Sequence, residues 1–146
     1  MAEPVEIGVV VGGAGAEALL AALGQVREAR LIGICGPTEQ AVRTLAAEHK
    51  TEVFPSLKKL LEVEALDLAI VASRRERRGT DALAAVKAGK PVWLVPPLPP
   101  EIELGRLAAA AEGAGVRLGL GLTARHHPAA RALRKAIVGL RDLEPQ

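Results

Sequence analysis

The sequence predicts an α/β domain built on a doubly wound, parallel six-stranded sheet. Three observations carry that prediction. Short β-branched apolar runs alternate with Ala- and Leu-rich stretches of helical length, the pattern of parallel strands joined by right-handed helical crossovers. The strand runs are continuously apolar, as expected when helices cover both faces of a sheet. The length of 146 residues suits one domain over residues 1–146 and not two.

Each element has its own local cause. Val5–Val11 reads as the first strand, ended by Gly12, Gly13 and Gly15, and Ala16–Val26 as the helix that follows. Leu31–Cys35 is the second strand, stopped by Gly36-Pro37. Thr38 stands where its hydroxyl accepts a free first-turn N–H of a helix over Glu39–His49. Glu52–Phe54 is a short third strand, and Ser56 caps a short helix, Leu57–Val63. Asp67–Ala72 is the fourth strand. Arg77–Ala88 is a helix stopped by Gly89, the residue best suited to a left-handed terminus. Val92–Val95, a helix over Glu101–Ala114 and Val116–Leu120 complete the alternation. Pro128 suits the first turn of a last helix, Ala129–Leu140.

Composition excludes several function classes. With 49% hydrophobic and 25% charged residues, global disorder is excluded. One Phe, one Trp and no Tyr leave too few rings to stack single-stranded bases, so nucleic acid is not an expected partner. Nor is a membrane, because no apolar run reaches the roughly 18 residues of a spanning helix. Cys35 is the sole cysteine and has no internal disulfide partner. The acidic start, Met1-Ala2-Glu3-Pro4, does not read as a secretory leader. The expected compartment is the cytoplasm.

In a doubly wound sheet, ligands bind beyond the carboxyl ends of the strands, where strand order reverses. Four segments there carry candidate chemistry. Gly12, Gly13 and Gly15 would let backbone approach a phosphate held at a helix N-terminus, although Glu17 opposes an anion there. The plainer alternative is a tight turn. At the second strand's tip a dinucleotide site wants a carboxylate for the ribose, but Ile34-Cys35-Gly36-Pro37-Thr38 offers only the Thr38 hydroxyl, which capping already explains. After the fourth strand come Arg74, Arg75, Arg77 and Arg78. Cations at a helix start oppose the dipole, so phosphate gripping competes with a merely solvated rim. Last, Arg125-His126-His127-Pro128 has no Cys, Asp or Glu at metal-ligand spacing, and no metal site is expected.

In order, Ile7-Gly8-Val9-Val10, Glu17-Ala18-Leu19, Leu31–Pro37, Phe54-Pro55-Ser56-Leu57, Asp67–Ser73, Ala85–Val92, Pro97-Leu98 and His127–Leu133 resemble the N-terminal domain of the Gfo/Idh/MocA oxidoreductases over nearly the whole chain. The resemblance implies a Rossmann NAD(P)-binding fold, with NAD or NADP as cofactor. It also implies a second α/β domain for substrate, which a chain ending at Gln146 would lack. Carried over residue by residue, the three glycine positions fall on Val11, Gly13 and Ala16, and the ribose-binding acid falls on Gly36. The family's Glu-Lys-Pro becomes Val95-Pro96-Pro97, and its nicotinamide-side His becomes Arg78. Gly13, Ser73 and Pro97 remain as implied cofactor contacts, and no catalytic residue remains.

The expectation is therefore a binding module without chemistry of its own, holding a nucleotide or another small anion weakly. Its expected contacts are Gly12, Gly13, Gly15, Thr38, Ser73, Arg74, Arg75 and Pro97. Self-association is expected to bury the apolar side of the last helix, at Leu133, Ile137, Val138 and Leu140. Two alternatives stand beside this reading. One is an NAD(P)-dependent oxidoreductase completed by a partner chain. The other is a structural or regulatory oligomerisation module with no small ligand.

Overall fold

The computed structural model describes residues 3–13 and 15–141, without the side chains of Ile102 and of residues 139–141. Along the chain run β1 (Val5–Val11), α1 (Ala16–Leu23), β2 (Ala29–Cys35), α2 (Glu39–Glu48), β3 (Glu52–Val53), α3 (Leu57–Leu61), β4 (Leu68–Ala72), α4 (Arg75–Lys87), β5 (Val92–Leu94), α5 (Glu101–Ala114), β6 (Leu118–Leu120), a 3-10 turn (Thr123–His126) and α6 (Pro128–Arg141). The sheet has six strands in the order β3-β2-β1-β4-β5-β6, and every pairing is parallel. The crossover from β3 to β4 reverses direction across β1. That reversal puts the switch point between the tips of β1 and β4.

The apolar run of β1 feeds two cores because successive side chains point to opposite faces. Val9 and Val11 join Leu20 of α1 and Val42 and Ala46 of α2 on one face. Val10 joins Leu60 of α3, Ala82, Ala85 and Val86 of α4, and Leu107 and Ala111 of α5 on the other. Val9 lies in register with Ile34 and Ile70 on either side. Both aromatic side chains lie against a glycine of the neighbouring strand, Phe54 over Gly33 and Trp93 over Gly119.

The caps read from the sequence form as expected. Thr38 Oγ1 accepts from Ala41 N at 3.2 Å, and Ser56 Oγ from Lys59 N at 3.2 Å. Lys90 ties the start of β5 to the loop before β4. Its ammonium donates to the carbonyls of Val63, Glu64 and Leu66 at 3.0, 3.2 and 2.9 Å.

Most boundaries differ from the sequence reading by a residue, and several by two or more, among them the start of β2, at Ala29 rather than Leu31. The first helix ends at Leu23, where Gly24 caps it, rather than at Val26. The third helix closes at Leu61, with Glu62 as its cap. β6 begins only at Leu118, since Val116 N bonds back to Ala111 O. Most consequentially, α4 begins at Arg75 and not at Arg77, with Arg74 extended at its N-terminus. The arginines therefore lie mostly inside a helix, whose geometry separates them onto different faces.

Candidate functional site

Two clefts flank the tip of β1, and both are lined by Val11, Gly12, Pro37 and Arg74. The smaller, about 370 Å³, runs between the ends of β1, β2 and β4 and the start of α3. Its walls include Pro37, Pro55 and Leu57, and its polar lining comprises Ser56, Ser73, Arg74, Arg77 and Asp81. The larger, about 590 Å³, lies over the glycine turn and along α2, with Gly13, Gly15, Glu17 and Glu48 in its lining.

Gly12 makes this geometry. A Cβ there would stand 2.9 Å from Arg74 N and 3.2 Å from Ser73 Cα, so a side chain would push the β1 and β4 tips apart. Gly15 adopts φ +95° at the start of α1, a left-handed backbone suited to glycine. Among the described residues the first-turn N–H groups of α1 and α4 have no side-chain cap.

The arginine cluster divides. Arg74 is exposed and lines both clefts. Arg75 is exposed at the helix start and lines neither. Arg77 pairs with Asp81 one turn on, at 3.1 Å. Arg78 is only 5% exposed, and its guanidinium donates to the carbonyls of Ser73 and Pro97. Four guanidinium groups on one ligand rim are therefore excluded. Burial pulls the Arg78 pKa below its usual range, against an opposing pull from the charge of Glu76.

The remaining candidates separate likewise. Ser73 lines the smaller cleft, and its hydroxyl is buried without a partner. Buried polar groups are nearly always satisfied, so this hydroxyl calls for a partner that the described residues do not supply. Thr38 is engaged in capping α2 and lines neither cleft. Pro97 also lines neither, and its carbonyl is taken by Arg78. His127 serves the start of α6, its Nδ1 accepting from Ala129 N at 3.2 Å. Among the described residues no helix is long and apolar enough to cross a membrane.

The sequence reading missed Asp81, 3% exposed on α4. A signal was present: stepping back three or four residues from the core-facing Ala82, Ala85 and Val86 puts positions 78 and 81 on the buried side of one helix.

Cys35, 1% exposed, shows the low polarity at the β2 tip. Burial first, and the charge of Asp81 second, push its thiol from its ordinary 9.0 up to about 12. Between those values the folded state keeps a proton that the unfolded chain releases, so the thiol's contribution to stability falls as pH rises from about 9 to 12. The expected result is a thiol inert to a thiol-specific reagent at pH 8 in the native protein and reactive in denaturant. Rapid native labelling would contradict it.

The family model described as an oxidoreductase family with an NAD-binding Rossmann fold, GFO_IDH_MocA, matches residues 5–122. No curated protein matches the chain in sequence. Three solved structures illustrate the likeness. A 3-ketoreductase from Actinomadura kijaniata, in complex with NADP and TDP-benzene, superposes with a TM-score of 0.86 at 22% identity, over 94% of this chain and 43% of that one. The biliverdin reductase of Synechocystis sp. PCC 6803, with biliverdin and NADP+, gives 0.81 at 24%, over 92% and 43%. GenD2 from gentamicin A biosynthesis, in complex with NAD, gives 0.81 at 25%, over 88% and 37%. The chain thus spans less than half the length of each. The strand order, the glycine turn at the switch point and the match over residues 5–122 agree: the chain belongs to the Gfo/Idh/MocA oxidoreductase family, through its NAD-binding Rossmann domain.

Proposed function

We propose that this chain is a nucleotide-binding module of that family, holding a phosphate-bearing ligand without performing hydride transfer itself. The observation that carries the reading is the pair of clefts meeting at Gly12, with Arg74 in both. The residues present fit the phosphate part of NAD or NADP. Gly12, Gly13 and Gly15 supply close backbone and Arg74 supplies a cation. A bound dinucleotide would bring hydride chemistry. The β5 end is Val95-Pro96-Pro97, which has no ionisable side chain to move a proton, and the nearby Arg78 is committed to two carbonyls.

Calorimetric titration with ADP, ATP, NADH and NADPH tests this reading. Binding is expected, with no turnover of reduced cofactor. Arg74→Ala should weaken binding at least tenfold, from the roughly 1.5–3 kcal/mol of a charge-assisted hydrogen bond. Arg75→Ala should change it less than twofold. No binding of any phosphate-bearing ligand would favour a structural module instead.

The reading extends to self-association. Leu133, Ile137 and Val138 of α6 are 62%, 48% and 53% exposed. Leu133 and Ile137 share one face by their spacing of four, and Arg131 and Lys135 fall on the other side. The side chain of Leu140, expected beside them, lies outside the described residues. An apolar helix face of this kind is covered by a second copy, or by a partner chain that completes an oxidoreductase. Light scattering should give twice 15.2 kDa for the native protein and the monomer mass for Leu133→Asp with Ile137→Asp. A native particle at the monomer mass would contradict the dimer. The lone thiol suits a reducing compartment, and the proposed location is the cytoplasm.

A further inference from the structure

A dinucleotide fold usually sets a carboxylate at the second strand's tip to accept from ribose hydroxyls. Gly36 stands there, and the packing keeps the position small. A Cβ on Gly36 would run into Val42 Cγ1 and stand 3.3 Å from Val11 O. Val42 is a 2% exposed core residue and has no room to retreat. The same cleft nevertheless contains a carboxylate. Asp81 lines it together with Gly36, its side chain 4% exposed. Its charge is felt at Cys35, the last residue of β2, so the carboxylate lies near the tip where an acid is missing.

The chemistry of the cleft suits a nucleoside. Arg77 occupies one Asp81 oxygen at 3.1 Å, and an ionised carboxylate has about four lone-pair sites, so acceptor capacity remains. Ser73 lines the same cleft, and its buried hydroxyl has no partner among the described residues. Pro37 and Pro55 give apolar walls for a flat base. Arg74 and the glycine turn lie where phosphates would continue into the larger cleft.

We propose that Asp81, rising from α4, takes the place of the missing β2 acid and accepts the ribose hydroxyls of a nucleoside diphosphate whose phosphates lie on the glycine turn. The assignment rests on the nucleotide-binding reading above and adds to it the identity of the ribose acceptor. It makes Asp81 a specificity-determining residue, favouring ligands with free ribose hydroxyls.

The test is calorimetry with ADP, 2′,3′-dideoxy-ADP and inorganic pyrophosphate, on the native chain and on Asp81→Asn. The native protein is expected to bind ADP at least tenfold more tightly than the dideoxy compound. Asp81→Asn should bring the two within twofold of each other and leave pyrophosphate affinity unchanged. Equal affinities in the native protein overturn the assignment without recourse to any variant, and so decide it even where Asp81→Asn does not fold. A difference that survives in a folded Asp81→Asn, judged by its thermal melt, also overturns it. Those outcomes leave nucleotide binding standing. Absence of binding by all three ligands removes the nucleotide site and this assignment together.

Discussion

Arg78→Ala is expected to lower the unfolding free energy by about 4 kcal/mol. The buried guanidinium donates to the carbonyls of Ser73 and Pro97, and truncation leaves both without that donor, at roughly 1–3 kcal/mol for the buried Ser73 oxygen and less for the part-buried Pro97 oxygen. The aliphatic stem also packs, and its loss leaves a cavity. Against a typical total of about 5–15 kcal/mol, this is a large fraction. Arg78→Met keeps most of the volume and loses only the donors, so it should cost about half as much. Urea unfolding with an unchanged slope measures both. A cost below about 1 kcal/mol for Arg78→Ala would show that Arg78 does not join α4 to the β4 and β5 ends.

Gly36→Asp is expected to destabilise the protein by about 3 kcal/mol without improving affinity for NADH. The substitution restores the acid that dinucleotide sites usually carry at this tip. Its Cβ, however, meets Val42 Cγ1 and Val11 O, and overpacking a filled core costs typically 1–3 kcal/mol. The ionised group adds to this by sharing the cleft with Asp81. In a Val42→Ala background the further cost of Gly36→Asp should fall by at least 1 kcal/mol, because neighbouring substitutions couple. Thermal melts of the four proteins check the cycle. A Gly36→Asp protein as stable as the native one would show that the tip of β2 has room for a side chain.

Much of the fold was legible in residues whose local physics leaves little choice. The β-branched run Val5–Val11 and the helix Glu101–Ala114 form with the expected bounds. Thr38 and Ser56 announce their helices because a hydroxyl at that position has a specific N–H to accept from. The start of α4 was less legible because Arg74 makes no side-chain cap, so no residue type marks the boundary. The roles of the arginines depend on helix phase. Arg74 lies outside the helix beside the clefts, whereas Arg78 falls on the buried stripe with Ala82 and Ala85. A run of like charges suggests one shared role, and the 3.6-residue period divides it. The approach of the β1 and β4 tips at Gly12 is tertiary, because it depends on the strand order β2-β1-β4 and not on neighbours along the chain.

Backbone NMR during an ADP titration tests most directly the claim that a nucleotide lies across the β1 and β4 tips. The account predicts that the largest amide shifts fall on Gly12, Gly13, Gly15, Ser73 and Arg74, saturate together, and are reduced in Arg74→Ala. Shifts confined to other faces of the domain, or none at millimolar ADP, would contradict it.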